Sequence, residues 1–129
     1  KLSNFKTLNT IPSVLCAKYA KHNKLDDAIL FNTDNNPIEI SNANLFLVKD
    51  NIILTPSLET GCVAGTMRNL ICDALEIKEE IITKEMILDS DECFVTNSLG
   101  IRWVKRISAR KLKRNDIAMK IVNVLNALV

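Results

Sequence analysis

The sequence predicts a single mixed α/β domain, and three observations favour this fold class. Runs typical of short strands alternate with runs of helical spacing, without an internal repeat or a linker between them. The 129 residues suffice for one compact domain and are short for two. The composition, 47% hydrophobic and 25% charged, is that of a globular chain and excludes a disordered tail, a collagen-like rod and a disulfide-dense mini-protein.

The first predicted element is a helix over residues 11–22. Thr10 supplies a capping hydroxyl, and Pro12 falls in the first turn, where a helix tolerates the missing N–H group. Apolar residues then recur at helical spacing, so the helix presents one apolar face. These residues are Ile11, Val14, Leu15 and Tyr19.

Strands and turns are predicted to follow this helix. An apolar run at 25–31 ends in a cluster of turn-forming Asn, Thr, Asp and Pro residues at 32–37. Short apolar segments then predict a small antiparallel meander with a turn at Asp50-Asn51. The predicted strands are 38–40, 45–48 and 52–54.

The second half of the chain predicts helices that alternate with strands. A break at 55–57 and a loop at 61–65 lead into a helix at 67–75. Asn115-Asp116 caps a last helix with a continuous apolar stripe. Between these helices we expect a strand at 80–83, a helical turn at 84–89, a buried strand at 93–96 and, after Gly100, a segment at 101–107.

Charge and cysteine usage narrow the functional classes. Seventeen basic and fifteen acidic residues leave a net charge of +2, too small by itself to imply a polyanionic partner. No apolar run approaches the roughly 18 residues of a membrane span, so we expect no membrane partner. The four cysteines lack CxxC or zinc spacing, which predicts no metal site and a reduced, cytoplasmic protein. They are Cys16, Cys62, Cys72 and Cys93.

A basic stretch at 102–114 carries seven Lys and Arg residues. A nucleic-acid-binding surface usually combines basic with aromatic residues, and only Trp103 interleaves here. Charge runs are usually solvated. We therefore interpret this stretch as a solvated face and expect no nucleic-acid partner.

Two charged residues stand among apolar neighbours. Lys6 precedes the first helix, and taken alone such a lysine is most often solvated. Glu39 lies between two isoleucines in a predicted strand, where it either points to solvent on the alternate face or is buried. A buried carboxylate needs a partner, because low dielectric disfavours its charged form. The sequence leaves both alternatives open.

The segment 61–68 opens a helix and contains two of the three glycines of the chain. Glycine allows the backbone to approach a ligand closely, and the free N–H groups at a helix start attract phosphate. Thr96-Asn97-Ser98 follows a buried strand. Its hydroxyls either complete such a site or merely end the strand.

Taken in order, several motifs resemble the class IV aminotransferase family, which includes branched-chain and D-amino acid transaminases and aminodeoxychorismate lyase. The resemblance spans about residues 4–108 and implies a D-amino acid aminotransferase-like domain, with a barrel-like mixed sheet and flanking helices, that binds pyridoxal 5'-phosphate. The motifs are Lys6-Thr7-Leu8-Asn9, Asp27-Ala28-Ile29-Leu30, the segment 39–46, Thr55-Pro56, the loop 61–68, and Asp91-Glu92-Cys93-Phe94 running into Thr96-Asn97-Ser98.

The resemblance implies a role for each candidate residue. Lys6 would be the catalytic Schiff-base lysine, which also carries a proton between substrate and cofactor. Glu39 would face the pyridine nitrogen of the cofactor and keep it protonated. The remaining residues would bind the phosphate or lie beside the cofactor or substrate. They are Gly65, Thr66, Met67, Asn97 and Ser98.

The resemblance also implies partners. Family members normally carry a preceding small domain of about a hundred residues, so residues 1–129 would be the C-terminal cofactor-binding domain alone. The chain begins at Lys1 without a Met or a signal peptide, and we expect a fragment or a processed piece. A small amino-acid-like substrate and a homodimer are implied. One departure is Trp103, which stands where the family usually has proline.

Within the family, three local features lean toward the aminodeoxychorismate lyase branch. They are the KxLN form at Lys6, the Gly-Thr-Met-Arg ending of the loop 61–68, and the run Thr-Asn-Ser-Leu from Thr96. This enzyme forms 4-aminobenzoate and pyruvate from aminodeoxychorismate in folate biosynthesis. A branched-chain or D-amino acid aminotransferase is the alternative within the family. A non-catalytic cofactor-binding remnant and a basic interaction module are the alternatives from other classes.

Overall fold

A computed structural model describes residues 10–112, 114 and 116–127. The helices are α1 Ile11–His22, α2 Thr66–Ala74, α3 Lys84–Asp89 and α4 Asp116–Ala127, and Leu58–Thr60 forms a 3-10 turn. The strands are β1 Ile29–Phe31, β2 Pro37–Ile40, β3 Ala43–Lys49, β4 Ile52–Pro56, β5 Ile77–Glu80, β6 Glu92–Asn97, β7 Gly100–Trp103, β8 Arg106–Ile107 and β9 Arg110–Lys111. The predicted mixed α/β class is confirmed.

Most predicted elements are confirmed, and one strand is misplaced. The helix at 11–22 forms as predicted, but the predicted capping hydroxyl is wrong, because Thr10 makes no side-chain hydrogen bond to the helix start. The turn at Asp50-Asn51 also forms as predicted, and both of its residues have positive φ, which Asp and Asn tolerate. The strand predicted at 80–83 is wrong, because β5 ends at Glu80. Its position is set by parallel pairing with β4, from Ile53 opposite Ile77 onwards, and this partner is distant in the sequence.

β3 organises the larger sheet. It pairs with β6 along one edge, and along the other edge it pairs first with β2 and then with β4. The sheet order is β1-β2-β3-β4-β5, with β6 on β3 and β7 on β6. Two strands therefore share one edge of β3. β2 pairs with the first residues of β3 and β4 with its last residues, so the sheet diverges at that edge.

The two faces of the sheet carry separate apolar cores. Leu45, Leu47 and Cys93 belong to the first core, which also includes Ile82 and Ile87 from outside the sheet. The second core lies beneath α2 and α4. In it the Phe46 and Phe94 rings stack with centroids 4.9 Å apart. Its buried members are Phe46, Val48, Ile71, Phe94, Ala118 and Ile121.

A buried carboxylate attaches α4 to the sheet. Glu92 on β6 is fully buried, and both its carboxylate oxygens accept the Ile117 N–H at 3.0 Å. Oε2 also accepts the Ala118 N–H at 3.2 Å. These are N–H groups of the first helical turn, which have no partner within the helix and favour a negative charge. Glu92 therefore caps α4 from a strand.

α1 buries its small residues and exposes its large ones. Cys16 and Ala20 face the protein, whereas Ile11, Leu15 and Tyr19 are exposed. The predicted apolar face is thus present, and it lies on the outer side of the helix. Among the described helices, none combines the length and apolarity needed to cross a membrane.

Candidate functional site

Three polar side chains form a row across three neighbouring strands. Glu39 on β2 is directly opposite Asn44 on β3, and Asn44 is directly opposite Thr96 on β6. Directly opposed residues of antiparallel strands point to the same face. The next position along each of β3 and β6 on this face is held by Phe46 and Phe94, in the core beneath α2. The row therefore borders the second core.

Glu39 is half-buried and has a backbone partner. Its Oε2 accepts the Val63 N–H at 2.9 Å, and no other described residue hydrogen-bonds to its carboxylate. Burial raises the pKa of Glu39, and the Val63 hydrogen bond acts in the opposite direction. Of the two alternatives that the sequence left open, the structure supports a carboxylate that is partly buried and paired, and its Oε1 has no hydrogen-bond partner in the part of the chain that the structure describes.

Asn44 is buried and holds the loop before α2. Its Nδ2 donates to the Val63 carbonyl at 2.7 Å. Its Oδ1 faces Gly65, where an added Cβ would lie 2.2 Å from that oxygen. Gly65 has φ −65° and ψ 145°, which any residue can adopt. Space, and not backbone conformation, therefore requires glycine at this position.

The start of α2 lies directly after this loop. Gly65 is its N-cap and provides no capping side chain. The N–H groups of Thr66 and Met67 belong to the first turn, where N–H groups have no acceptor within a helix and carry partial positive charge. Asn69 N–H donates to the Gly65 carbonyl at 2.9 Å and closes that turn. This end of α2 is suited to an anion such as a phosphate.

Arg68 attaches the first turn of α2 to the sheet. It was given no role in the sequence analysis. Its side chain is buried, and Nη2 donates to the Pro56 carbonyl at 2.9 Å and to the Glu79 carboxylate. The first turn of α2 is thereby attached to the ends of β4 and β5. Nε is buried and has no partner among the described residues. Only the position of Arg68 at the close of the glycine-containing segment hinted at this role.

The β6–β7 turn carries two predicted site residues. Asn97 Oδ1 accepts the Leu99 N–H at 2.9 Å, and Nδ2 donates to the Asn42 carbonyl at 3.2 Å. The side chain of Asn97 thus shapes the turn, on the face opposite to Thr96. Ser98 is exposed at the tip, and Gly100 follows with φ +127°, a conformation that L side chains rarely adopt.

Thr96 is a further polar residue that sequence reasoning treated only as a possible hydroxyl donor. It is 1% exposed, and its Oγ1 has no hydrogen-bond partner among the described residues. A buried hydroxyl without a partner is unfavourable, so it indicates a place for a ligand or a water. Of the predicted residues, Lys6 lies outside the described residues.

The thiols and the basic stretch have structural explanations. All four cysteines are free, and burial raises the pKa of Cys62 to about 11 and of Cys93 to about 12. Within the described part of the chain no cluster of three His, Cys, Asp or Glu side chains could hold a metal. In the basic stretch, Arg110 donates to the Ser90 carbonyl at 2.7 Å and Arg114 pairs with Asp116 at 3.4 Å.

Comparison with known protein families shows to which family the chain belongs. The sequence model of the amino-transferase class IV family matches residues 1–107. The chain belongs to this family. The match includes Lys6 and every other predicted site residue. It ends before α4, although Glu92 attaches that helix to the sheet.

The individual class IV relatives described next have two different activities. An aminodeoxychorismate lyase of Vibrio harveyi is 36% identical over 118 residues, which cover 87% of this chain and 44% of that protein. A branched-chain aminotransferase of Pseudomonas aeruginosa is 28% identical over 108 residues, 79% of this chain and 35% of that protein. The chain spans less than half the length of these relatives.

Solved structures agree with this fold. A Legionella pneumophila protein, provisionally assigned as a 4-amino-4-deoxychorismate lyase, superposes with a TM-score of 0.88 at 33% identity over 95% of this chain and 48% of that chain. The pyridoxal-phosphate form of a Thermobaculum terrenum branched-chain aminotransferase has a TM-score of 0.90 at 19% identity, over 99% of this chain and 45% of that one. The second likeness concerns the fold alone.

Proposed function

We propose that this chain is the C-terminal, cofactor-binding part of a pyridoxal-phosphate-dependent class IV enzyme, and that the enzyme is an aminodeoxychorismate lyase. The carrying observation is the juxtaposition of Glu39, the loop at Val63 and the uncapped start of α2, held together by Asn44. The choice of the lyase is supported by the Vibrio and Legionella relatives, at 36% and 33% identity. Its reaction would release 4-aminobenzoate and pyruvate for folate biosynthesis.

The described residues fit pyridoxal phosphate. Glu39 Oε1 is available to the pyridine N–H, and the N–H groups of Thr66 and Met67 suit the phosphate. The Ser98 hydroxyl is exposed at the β6–β7 turn, and the buried Thr96 hydroxyl has no hydrogen-bond partner among the described residues. When bound, the cofactor supplies an electron sink for the negative charge that develops at the substrate Cα. A pyridine ring held protonated by Glu39 suits that chemistry.

The protein's own residues would move the protons. We propose that the Lys6 amine accepts the proton from the substrate Cα and later protonates the leaving pyruvate portion. Glu39, whose pKa is raised by burial, would gain a positively charged partner that favours its ionised form. Thr66 and Met67 would hold the phosphate end, so that the reacting end of the cofactor stays beside Lys6. Asn97 would act by fixing the turn that carries Ser98.

The whole enzyme would need more than these 129 residues. The relatives are more than twice as long as the matched part, and we propose that a preceding small domain completes the substrate pocket. The active species would be a homodimer that acts on a small amino-acid-like molecule. Four free thiols, three of them buried, are typical of a protein kept in a reducing compartment, so the proposed location is the cytoplasm.

Covalent labelling tests the cofactor site. The purified protein is mixed with pyridoxal phosphate, its visible spectrum is recorded, and it is reduced with borohydride before peptide mass analysis. We expect one labelled lysine, Lys6, and no label there in Lys6→Ala. The measurement is repeated on the chain joined to a preceding class IV domain. Label scattered over surface lysines in that longer protein as well would contradict the proposal.

A branched-chain aminotransferase is the second candidate. The Pseudomonas relative and a Thermoproteus uzoniensis branched-chain aminotransferase, solved with norvaline, are each 28% identical to this chain. The two candidates differ in their products. The lyase releases pyruvate and 4-aminobenzoate from aminodeoxychorismate, whereas the transaminase forms glutamate from 2-oxoglutarate and a branched-chain amino acid. Product analysis of the unreduced, cofactor-loaded protein, joined to a preceding class IV domain, separates them.

A further inference from the structure

We infer that Asn44 is a positioning residue that connects the two ends of the cofactor site: by holding the Val63 peptide it keeps a backbone donor on Glu39 and sets the start of α2. This inference rests on the proposed function for the identity of the ligand. The contacts of Asn44 with Val63 and Gly65 lie within this chain, so their effect can be tested without any cofactor.

Val63 is held by side chains at both its N–H and its carbonyl group. Val63 donates its N–H to Glu39 at 2.9 Å, and its carbonyl accepts the Asn44 amide at 2.7 Å. Glu39 and Asn44 are directly opposed across β2 and β3, so both side chains reach the loop from one face of the sheet. If the Asn44 amide is removed, the Val63 carbonyl loses its side-chain donor, so the Val63 peptide can turn and its N–H is no longer kept on Glu39.

The start of α2 is connected to the same Val63 carbonyl. The Gly65 N–H donates to the same Val63 carbonyl at 3.0 Å, and the Gly65 carbonyl accepts the first helical bond, from Asn69, at 2.9 Å. On its other side Asn44 presents Oδ1 to Gly65 so closely that no Cβ fits between them. Asn44 thus determines both the position of the Val63 peptide and the space in which α2 begins.

A substitution of Asn44 should therefore change both the titration of the Glu39 carboxylate and the start of α2. A residue with a merely stabilising role would lower the stability of the fold and leave the environment of Glu39 as it is. Among the described residues, the titratable groups that interact with Glu39 are the thiols of Cys16 on α1 and Cys62 in the loop, and both have raised pKa values. Neither thiol is charged at neutral pH, so the titration of Glu39 reports mainly burial and the Val63 donor.

The chain offers a matched control in Asn32. Its Nδ2 donates to the Thr60 carbonyl at 3.1 Å, so it also holds a carbonyl of the segment before α2 through a side-chain amide. Its hydrogen bonds to described residues do not involve Glu39, since its Oδ1 accepts the N–H groups of Asp34 and Asn36. Asn32→Ala should lower stability without altering the carboxylate.

The first experiment is a carboxyl ¹³C NMR titration of Glu39 in the chain without cofactor, with the resonance assigned by Glu39→Gln. In Asn44→Ala we expect the titration midpoint of Glu39 to rise by on the order of one pH unit, because the carboxylate loses a hydrogen bond to its charged form. Asn32→Ala should leave the midpoint unchanged. A midpoint that stays or falls in Asn44→Ala overturns the inference. If Asn44→Ala does not fold, the shorter donor in Asn44→Ser provides the same test.

The second experiment tests the contact with Gly65. Gly65→Ala places a Cβ against Asn44 Oδ1, so we expect a large loss of stability in the wild-type background and a much smaller loss in the Asn44→Ala background. Urea midpoints of the two single variants and the double variant give this coupling. An equal loss in both backgrounds overturns the inference. A single Gly65→Ala variant that fails to fold, beside a double variant that folds, supports it.

A third measurement joins the inference to the cofactor. In the protein that binds cofactor, Asn44→Ala should reduce the preference for pyridoxal phosphate over pyridoxal by about tenfold, because the start of α2 is displaced. Asn32→Ala should keep the preference. An unchanged preference in Asn44→Ala overturns the link to the phosphate site. If neither compound binds to any variant while the first two experiments succeed, the proposed function fails and the structural inference stands.

Discussion

Replacing Glu92 with alanine should release α4 from the sheet. The carboxylate is fully buried and accepts the N–H groups of Ile117 and Ala118 at 3.0–3.2 Å. Glu92→Ala leaves these two donors without their acceptor inside the protein, and each unsatisfied buried donor costs about 1–3 kcal/mol. Loss of a helix cap costs roughly 0.5–2 kcal/mol by itself. The two figures describe the same lost hydrogen bonds and are not added. Because Ile117 is only half-buried and its N–H can bind water instead, we expect a loss near the lower end of the range for two donors, about 3 kcal/mol.

Glu92→Gln is the informative companion variant. It keeps the volume and one oxygen acceptor but loses the negative charge that the helix start favours, a difference of about 1 kcal/mol. The assay is urea denaturation followed by circular dichroism. With a slope of about 1.5 kcal/mol per molar urea, Glu92→Ala should lower the midpoint by about 2 M, and Glu92→Gln by less than half of that.

Glu76 provides the control, because it is an exposed glutamate between α2 and β5. Glu76→Ala should change the urea midpoint little, as surface substitutions usually do. The reasoning is refuted if Glu92→Ala is as stable as Glu76→Ala. It is also refuted if Glu92→Gln loses more stability than Glu92→Ala, since the amide still offers an acceptor to the helix.

Three further predictions concern other buried groups. Arg68→Met should cost about 2 kcal/mol in thermal unfolding, because the Pro56 carbonyl loses its charged donor and keeps only the weak Cys62 thiol contact at 3.5 Å; a loss no larger than that of Lys78→Met, which removes an exposed ion pair, would contradict this. Burial raises the folded-state pKa of Glu39, so the folded protein holds the proton of this carboxyl more tightly than the unfolded chain does. The resulting contribution to the free energy of unfolding is fully present below the ordinary pKa of 4.5 and is lost as the pH rises through the raised value. Wild-type protein should therefore lose stability relative to Glu39→Gln in urea titrations as the pH rises above 4.5, and a constant difference would count against this burial. Because the pKa of Cys93 is raised to about 12, its thiol should react with a disulfide reagent at pH 8 only after urea is added, and rapid labelling of the folded chain would refute the burial.

The sequence predicted the elements whose signals are local. Pro12 in a first turn and Asp50-Asn51 in a tight turn act on neighbouring residues, so the helix and the hairpin followed directly. β5 was misplaced because Lys78 and Glu79 do not favour a strand on their own. The pairing partner of β5 is β4, some 24 residues earlier, and the strand propensity of a local segment does not depend on so distant a partner.

The site was predictable in its residue types and not in its contacts. The motifs brought Glu39, Gly65 and Thr66 together through resemblance, yet the partner of Glu39 is a backbone N–H 24 residues away. Asn44 lay inside the motif 39–46 but received no role, because its two contacts come from the loop before α2, which is distant in the sequence. Arg68 was missed because a charged residue is usually exposed, and its burial depends on acceptors on two strands.

The row Glu39-Asn44-Thr96 also constrains how the length of this chain can change in evolution. Side chains alternate along a strand, so one residue inserted or deleted inside β2, β3 or β6 turns the following positions to the opposite face. Ile40 pairs with Ala43, and only Ser41 and Asn42 connect β2 to β3. Substitutions in these strands alter one contact at a time, whereas a single-residue change of length within them would move a site residue into the wrong core. Insertions are therefore expected to accumulate in the loops outside the row, and within the strands only in steps of two residues.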